Sequence, residues 1–123
     1  MARKNFKRGQ GKFIQFDHYI YDSTAWQALK PGPRALYLEM KRRYNGFNNG
    51  ELFLSQRDAA KALNVGRDTV ELYRRELVAK GFLVKTRGHH LGAAGIGQAA
   101  LWALTEYSVG TAKPTYSFKA WKK

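Results

Sequence analysis

The stretch Ser55-Gln-Arg-Asp-Ala-Ala-Lys-Ala-Leu-Asn-Val-Gly-Arg-Asp-Thr-Val70 decides the fold of this 123-residue chain. Ser55 is a favourable N-cap, so a short helix is predicted over 56–63. Only the tripeptide Asn-Val-Gly, residues 64–66, separates it from a second helix, predicted from about 67 to 80. A connection this short forces the two helices to cross steeply instead of lying side by side.

The second predicted helix has one apolar face and a clear end. Val70, Tyr73 and Leu77 recur at helical spacing and are expected to point inward. Gly81 follows the last apolar turn and is placed to end the helix, because glycine readily adopts the left-handed conformation found there.

A β-hairpin is predicted directly behind the second helix. Residues 82–86 have high β-propensity, and residues 99–105 form a return strand. The glycine-rich loop over 88–97 joins the two strands. A strand, a long loop and a strand at this position form a wing.

The residues before Ser55 supply the rest of a small core. Trp26 and Leu29 are expected to face inward from a short helix. Four elements are predicted in this part of the chain: extended chain or a short strand over 13–20, a short helix capped by Asp22 or Ser23 and ending at Ala28, a helix over 34–44 whose first turn Pro33 suits, and a strand over 52–54.

The segment from Ser55 to Val70, continued by Glu76-Leu-Val-Ala-Lys-Gly-Phe-Leu83, resembles a winged helix-turn-helix DNA-binding domain. The upstream run Arg34-Ala-Leu-Tyr-Leu-Glu39 is similar to the lead-in of phage, plasmid and integrated-element proteins, including replication initiators and small regulators. The resemblance covers roughly 13–107 and implies an α+β fold, a helical core with a C-terminal β-hairpin wing, that binds DNA. Gly66 departs from the family pattern, in which serine usually caps the second helix.

In this fold the second helix enters the major groove with its N-terminal end first. Arg67 is the first candidate for base recognition, because a guanidinium matches guanine O6 and N7. The first helix crosses the DNA backbone, where its N-terminal amides can receive a phosphate. The cap role is the stronger interpretation for Ser55. The predicted DNA-contacting residues of the two helices are Ser55, Gln56, Arg57, Lys61, Arg67, Asp68, Thr69, Glu71, Arg74 and Arg75, of which Thr69, Arg74 and Arg75 are expected at phosphates.

Glu71 has two interpretations from the sequence. Its carboxylate accepts a hydrogen bond from cytosine N4, or it pairs with Arg67 or Arg75 across one helical turn. Both remain open at this point.

The wing carries Arg87, His89 and His90, which fit a tip that contacts a minor groove or a phosphate. The alternative is a hairpin tip that makes no contact. A metal site is not expected, because neighbouring side chains in a strand point in opposite directions and the only other histidine is His18.

The net charge of +13 is concentrated at the two ends. Residues 1–12, which include Arg3, Lys4, Lys7 and Arg8, and residues 111–123 contain no acidic residue. Such blocks are predicted to be arms that grip phosphates around a domain over 13–110, or else solubilising tails. Aromatic residues among the C-terminal lysines suggest that this tail packs on its own domain, on a second copy or on nucleic-acid bases.

Composition and residue placement exclude other classes of protein. The scattered carboxylates form no nucleophile and base set, so no enzyme activity and no cofactor is expected. The chain has no cysteine and no apolar run long enough to span a membrane. RNA binding and a protein-interaction winged domain remain as alternatives.

The expected partner is double-stranded DNA, with no small-molecule ligand evident. Because one recognition helix contacts few base pairs, the sequence also suggests a homodimer on DNA, formed through the helix around Tyr37 to Tyr44 or through the tail around Tyr116 to Trp121. The expected role is transcription regulation in the cytoplasm, associated with the nucleoid, or an accessory role in DNA replication or recombination of a mobile element.

Overall fold

The computed structural model describes residues 12–88, 90–91, 97–98 and 100–123. Helices come first along the chain and the wing follows, so the α+β winged helix-turn-helix fold is confirmed. The elements are α1 (His18–Tyr21), α2 (Thr24–Ala28), α3 (Pro31–Arg42), α4 (Gln56–Leu63), α5 (Arg67–Ala79), β1 (Leu83–Arg87), β2 (His90–Leu91), β3 (Gly97–Gln98), β4 (Leu101–Leu104) and a closing 3₁₀ turn (Ser117–Ala120).

The pair α4 and α5 forms as the sequence predicts. The Ser55 hydroxyl accepts a hydrogen bond from the Asp58 amide at 3.0 Å and caps α4. Asn64 closes α4 in the left-handed conformation, with φ of 59°, which asparagine tolerates better than most residues. Gly81 has φ of 87° after α5, so the predicted helix end is confirmed.

The wing is an antiparallel hairpin. β1 pairs with β4, and Leu83 lies opposite Leu104. β2 and β3 form a second short antiparallel pair along the same hairpin. The strand predicted over 52–54 is reduced to one bridge, in which Leu52 exchanges two backbone hydrogen bonds with Trp102.

Two further upstream predictions differ from the structure. Over 13–20 the extended chain lasts only to Asp17 and forms no strand, because the chain then turns into α1. Phe16 packs on Trp26, with ring centroids 4.7 Å apart, so side-chain packing rather than a strand partner fixes this segment. Ser23, one of the two predicted caps, does cap α2 by accepting from the Trp26 amide.

The third helix starts earlier and ends earlier than predicted, at Pro31 and Arg42 instead of 34 and 44. The first-turn amides of a helix have no acceptor within the helix. Proline at 31 and 33 therefore removes no helical hydrogen bond, and the first one runs from the Arg34 amide to the Lys30 carbonyl.

A buried ion pair crosses the core between α3 and the chain after β4. Lys41 donates to Glu106 at 3.1 Å, and both side chains are almost fully buried. The Tyr37 hydroxyl donates to the other carboxylate oxygen of Glu106. Burial, with help from this carboxylate, raises the pKa of Tyr37 well above its ordinary value. Tyr37 therefore stays a hydrogen-bond donor to Glu106.

The C-terminal segment over 111–123 is packed on the domain, as the aromatic residues among its lysines suggested. Phe118 is 1% exposed and stacks on Phe82, with ring centroids 5.0 Å apart. The Tyr116 amide also donates to the Thr105 carbonyl. Of the three surfaces that the sequence left open for this tail, the structure shows that it covers its own domain.

The longest helix in the described part of the chain, α5, has 13 residues, and none there combines the length and apolar character that crossing a membrane requires.

Candidate nucleic-acid interface

The first turns of α4 and α5 are joined by one side chain. Gln56 lies at the start of α4, and its amide nitrogen donates to the backbone carbonyl of Arg67 at 2.6 Å. This bond fixes the start of α5 beside the start of α4. Ser55 and Gln56 therefore both have structural partners, and their predicted DNA contacts stay predictions.

The start of α5 is open. Gly66 occupies the N-cap position and supplies no side-chain cap, so the amides of the first turn have no capping side chain. These amides and the helix dipole favour an anion at this point. The exposed Arg67 adds a positive charge in the same turn, and the exposed Asp68 next to it adds a negative one.

The outer face of α5 follows the predicted helical pattern. Arg67, Asp68 and Arg75 are exposed, and Thr69 is half-buried. Leu72 lies among them with 61% of its surface exposed, which gives this polar face an apolar centre. An exposed leucine is suited to contact with a thymine methyl group.

Arg74 is not at the surface, contrary to its predicted place as an exposed phosphate contact. Only 8% of the residue is exposed, and its guanidinium lies 5.3 Å from the centre of the Trp102 ring. Burial lowers the pKa of Arg74, and the nearby charge of Glu71 opposes that shift. Position 74 follows Val70 by four residues and precedes Leu77 by three, so it belongs to the inner face of the helix.

Glu71 pairs with two arginines on its own helix. Its carboxylate lies 3.3 Å from Arg74 and 3.5 Å from Arg75. The ion-pair interpretation is therefore realised through Arg75, while Arg74 is a partner that the sequence did not suggest. Because the carboxylate is partly neutralised, its repulsion of a phosphate is reduced.

The outward face of α4 carries Arg57 and Lys61, both exposed as predicted. Their spacing of four residues places the two charges on one side of the helix. Arg57 follows Gln56 directly, so it lies close to the Arg67 end of α5. We call the exposed cations Arg57, Lys61, Arg67 and Arg75, together with Leu72, the α4–α5 face.

The wing contributes a basic residue that sequence analysis missed. The ammonium group of Lys85 in β1 lies 5.4 Å from the centre of the Trp102 ring. Lys85, Arg75 and Trp102 line a groove of about 300 Å³ between α5 and the wing. The sequence alone carried no signal for this place, because Lys85 lies opposite Trp102 only through the register of the hairpin.

The other wing candidates are only partly described. Arg87 ends β1 and is exposed. His90 lies in β2 opposite Gln98. His89 and the N-terminal cations Arg3, Lys4, Lys7 and Arg8 lie outside the described residues.

A second groove borders the α4–α5 face. It has a volume of about 740 Å³ and lies between the start of α3 and α5, with Pro31, Leu72 and Tyr73 among its lining residues. Gly32 lets the Tyr73 ring lie directly against α3, because a methyl group at this position would overlap the ring. The half-buried Tyr73 therefore packs against α3, as its predicted inward direction implied.

Residues 27–83 match the family model of a helix-turn-helix domain, a span that runs from α2 through α5. No curated protein and no solved structure shows a significant match to the chain. The matched domain indicates a DNA-binding protein.

Proposed function

We propose that this winged helix-turn-helix protein binds double-stranded DNA sequence-specifically and acts as a transcriptional regulator, with α5 in the major groove. The observation that carries the proposal is the α4–α5 face, in which Arg67 projects from the open start of a helix locked to its neighbour by Gln56. A helix of 13 residues is about 20 Å long, and the major groove is wide enough to admit it.

Each exposed residue of this face has a distinct chemical role. Arg67 offers the guanidinium geometry that matches guanine, and Leu72 offers an apolar contact to thymine. Arg57 and Lys61 are placed for phosphates, which fix orientation without distinguishing sequence. Arg75 shares its charge with Glu71 at 3.5 Å, so we assign it a weaker phosphate contact.

The test starts from selection of preferred sites out of a random duplex library. Arg67→Ala should then weaken binding at the selected site by about 1–3 kcal/mol and on random duplex by far less. Arg42→Ala removes an exposed arginine from the end of α3 and is the matched control, with small and equal losses on both duplexes. Equal losses for Arg67→Ala would make it a phosphate contact, and failure to enrich any sequence would overturn specific binding.

Salt dependence measures how many phosphates the protein contacts. If the protein contacts six to ten phosphates, a plot of the logarithm of its binding constant against the logarithm of salt concentration has a slope of about −5 to −9. Deletion of residues 1–12 should flatten the slope while leaving site preference nearly unchanged. Loss of preference with an unchanged slope would contradict the division between specificity in α5 and affinity in the N-terminal arm.

A homodimer on DNA remains part of the proposal, although the two suggested surfaces are largely occupied within one chain. Tyr37 is fully buried, and Phe118 of the tail is buried against Phe82. Exposed residues of α3, such as Leu38, remain available for a partner copy. The length of the DNase footprint tests this, since two half-sites lie about one helical turn apart.

A second candidate role is that of an accessory factor in replication or recombination. The packed C-terminal tail favours it, because this basic and aromatic surface lies outside the α4–α5 face. Genome-wide mapping of bound sites separates the two roles: promoters are expected for a regulator, and origins or recombination sites for an accessory factor.

A further inference from the structure

The C-terminal segment has the most one-sided charge in the described part of the chain. Residues 107–123 contain no acidic residue, and Lys113, Lys119, Lys122 and Lys123 are all exposed. Lys80 at the end of α5 lies beside them, 4.8 Å from the centre of the Trp121 ring. A polyanion is the partner that this charge balance favours.

Aromatic rings are interleaved with these lysines. The ammonium group of Lys119 lies 5.0 Å from the centre of the Tyr19 ring and 4.6 Å from that of Tyr116. Tyr19 is 42% exposed, and Trp121 is half-buried. We call Tyr19, Lys80, Tyr116, Lys119 and Trp121, with the neighbouring Lys122 and Lys123, the tail face.

The tail face is held in shape from beneath. Phe118 stacks on Phe82 and also contacts Tyr19, with ring centroids 6.2 Å apart. The carbonyl of Gly81 accepts a hydrogen bond from the Thr105 hydroxyl at 2.7 Å, and Gly81 itself lies against the backbone of the tail. The rings therefore form a fixed platform, so little side-chain freedom remains to be lost on binding.

The tail face lies at the opposite end of α5 from Arg67, although Arg75 of the α4–α5 face is only five residues before Lys80. Lys80 and Gly81 adjoin the C-terminal end of α5, whereas Arg67 is at its N-terminal end. The helix between them is about 20 Å long. A duplex bound at Arg67 therefore does not cover the tail face, which stays accessible to another stretch of nucleic acid.

The acidic groups around the tail face are few. Glu76 pairs with Lys80 at 2.5 Å, and Glu106 is buried on Lys41. Asp17 is exposed next to α1, and its carboxylate would repel the phosphates of a nucleic acid bound at this face. Tyr19 adds no charge to this face, because a tyrosine is neutral at pH 7.

We propose that the tail face binds single-stranded DNA. Unpaired bases expose their ring faces and stack on aromatic side chains, while lysines follow the phosphates. A duplex hides those faces in its own stack, so exposed rings beside lysines add nothing to its binding. The proposal is independent of duplex recognition by α5, and both activities together suit a protein that acts where a duplex is opened.

The experiment measures anisotropy of a fluorescent 20-nucleotide oligo(dT) and of a mixed-sequence duplex with the full chain. Tyr19→Leu removes the ring but keeps an apolar side chain, and it should weaken oligo(dT) binding roughly 10-fold while leaving the duplex unaffected. Tyr19→Phe keeps the ring and should bind oligo(dT) like the original protein. Equal oligo(dT) affinities for the two variants would overturn stacking on Tyr19.

Charge removal provides a second test that does not depend on the ring. The triple variant Lys119→Gln, Lys122→Gln and Lys123→Gln should flatten the log–log salt slope for oligo(dT) by about 2, at about 0.7 for each phosphate contact. The duplex slope should stay the same. Equal flattening of both slopes would overturn a separate single-strand surface.

A matched variant separates failure of this inference from failure of the proposed function. Arg57→Gln, Lys61→Gln and Arg67→Gln remove three charges from the α4–α5 face and should weaken the duplex complex while leaving oligo(dT) affinity within about twofold. If the α4–α5 variant leaves duplex binding unchanged, the proposed function fails. If the variants of the tail face leave oligo(dT) binding unchanged, this inference fails.

Discussion

The α4–α5 face and the C-terminal tail are both basic, but they are built in opposite ways. The α4–α5 face carries its arginines on two helices whose starts and ends are set by residues close by in the sequence. Leu72 at its centre is 61% exposed. The tail has little regular structure and is held by Phe118, which is 1% exposed. Local charge density is therefore a poor guide to whether a basic segment is an arm, whereas an aromatic residue among the lysines is a better one.

The first way to break this comparison is to remove the tail's anchor. Phe118→Ala should lower the free energy of unfolding by about 3–5 kcal/mol, because it empties a packed ring site against Phe82. Leu72→Ala is the control on the other face and should change stability by no more than about 0.5 kcal/mol, since it is mostly exposed. Urea denaturation measures both. Comparable stabilities for the two variants would show that the tail is not part of the core.

The second test concerns the close approach of the tail to the end of α5. Gly81→Ala places a side chain at φ of 87° and against the backbone of Ser117 and Phe118, so a loss of more than about 1 kcal/mol is expected. Gly88→Ala is the control, because its added methyl group meets only ordinary contacts. Thermal unfolding compares the two. Equal melting temperatures would contradict the close packing.

The third test uses alkaline pH to destabilise the fold around three tyrosines, one of which, Tyr19, belongs to the tail face. Burial raises the pKa of Tyr37 and Tyr107 above their ordinary values and that of Tyr19 to about 12. A folded pKa above the unfolded one means that folding favours the neutral phenol. This stabilisation is complete below about pH 10 and is lost as the pH rises through 10 toward the folded values.

The measurement is denaturation at pH 9, 10 and 11, with the free energy of unfolding expected to fall over this range. The free energy of unfolding of Tyr19→Phe should fall less steeply with pH than that of the original protein. The variant lacks one of the three tyrosines whose pKa is raised in the folded state. Identical pH dependence for the two proteins would contradict the packed environment of Tyr19.

The smallest expected effect sharpens the account of the α4–α5 face. Gly66→Ser supplies the hydroxyl that the N-cap of α5 lacks and should raise stability by a few tenths of a kcal/mol. Gly66→Ala is the control, since alanine is a poor cap and should be less stable than serine at this position. Chemical denaturation resolves the order of the three proteins, and an alanine variant as stable as the serine variant would contradict an uncapped helix start.

Local chemistry explains how much of the fold could be predicted. Ser55, Asn64 and Gly81 each determine the backbone within a few residues, so α4, its turn and the end of α5 follow from the sequence. The start of α3 was misplaced because Pro31 is acceptable in a first helical turn as well as before it. The segment over 13–20 was misassigned because Phe16 packs on Trp26, a contact between elements that period and propensity do not encode.

The candidate site shows the same division. Exposure of Arg67, Arg57 and Lys61 follows from helical geometry alone. Arg74 was misjudged because an arginine is usually placed outside, although its spacing from Val70 and Leu77 puts it on the inner face, where Trp102 covers it. Lys85 was missed for a different reason, since its place beside Trp102 depends on the register of the hairpin.

The ammonium–carboxylate contact between Lys41 and Glu106 restricts the alignment of the segment after β4 on α3. If the segment after β4 slipped by one residue, Thr105 or Tyr107 would face Lys41, and a cation would be enclosed without its counter-ion. Leaving one member of such a pair alone costs roughly 3–5 kcal/mol, comparable with the whole stability of a small domain. This contact therefore selects one alignment of the closing segment on α3, and with it the position of every lysine that follows.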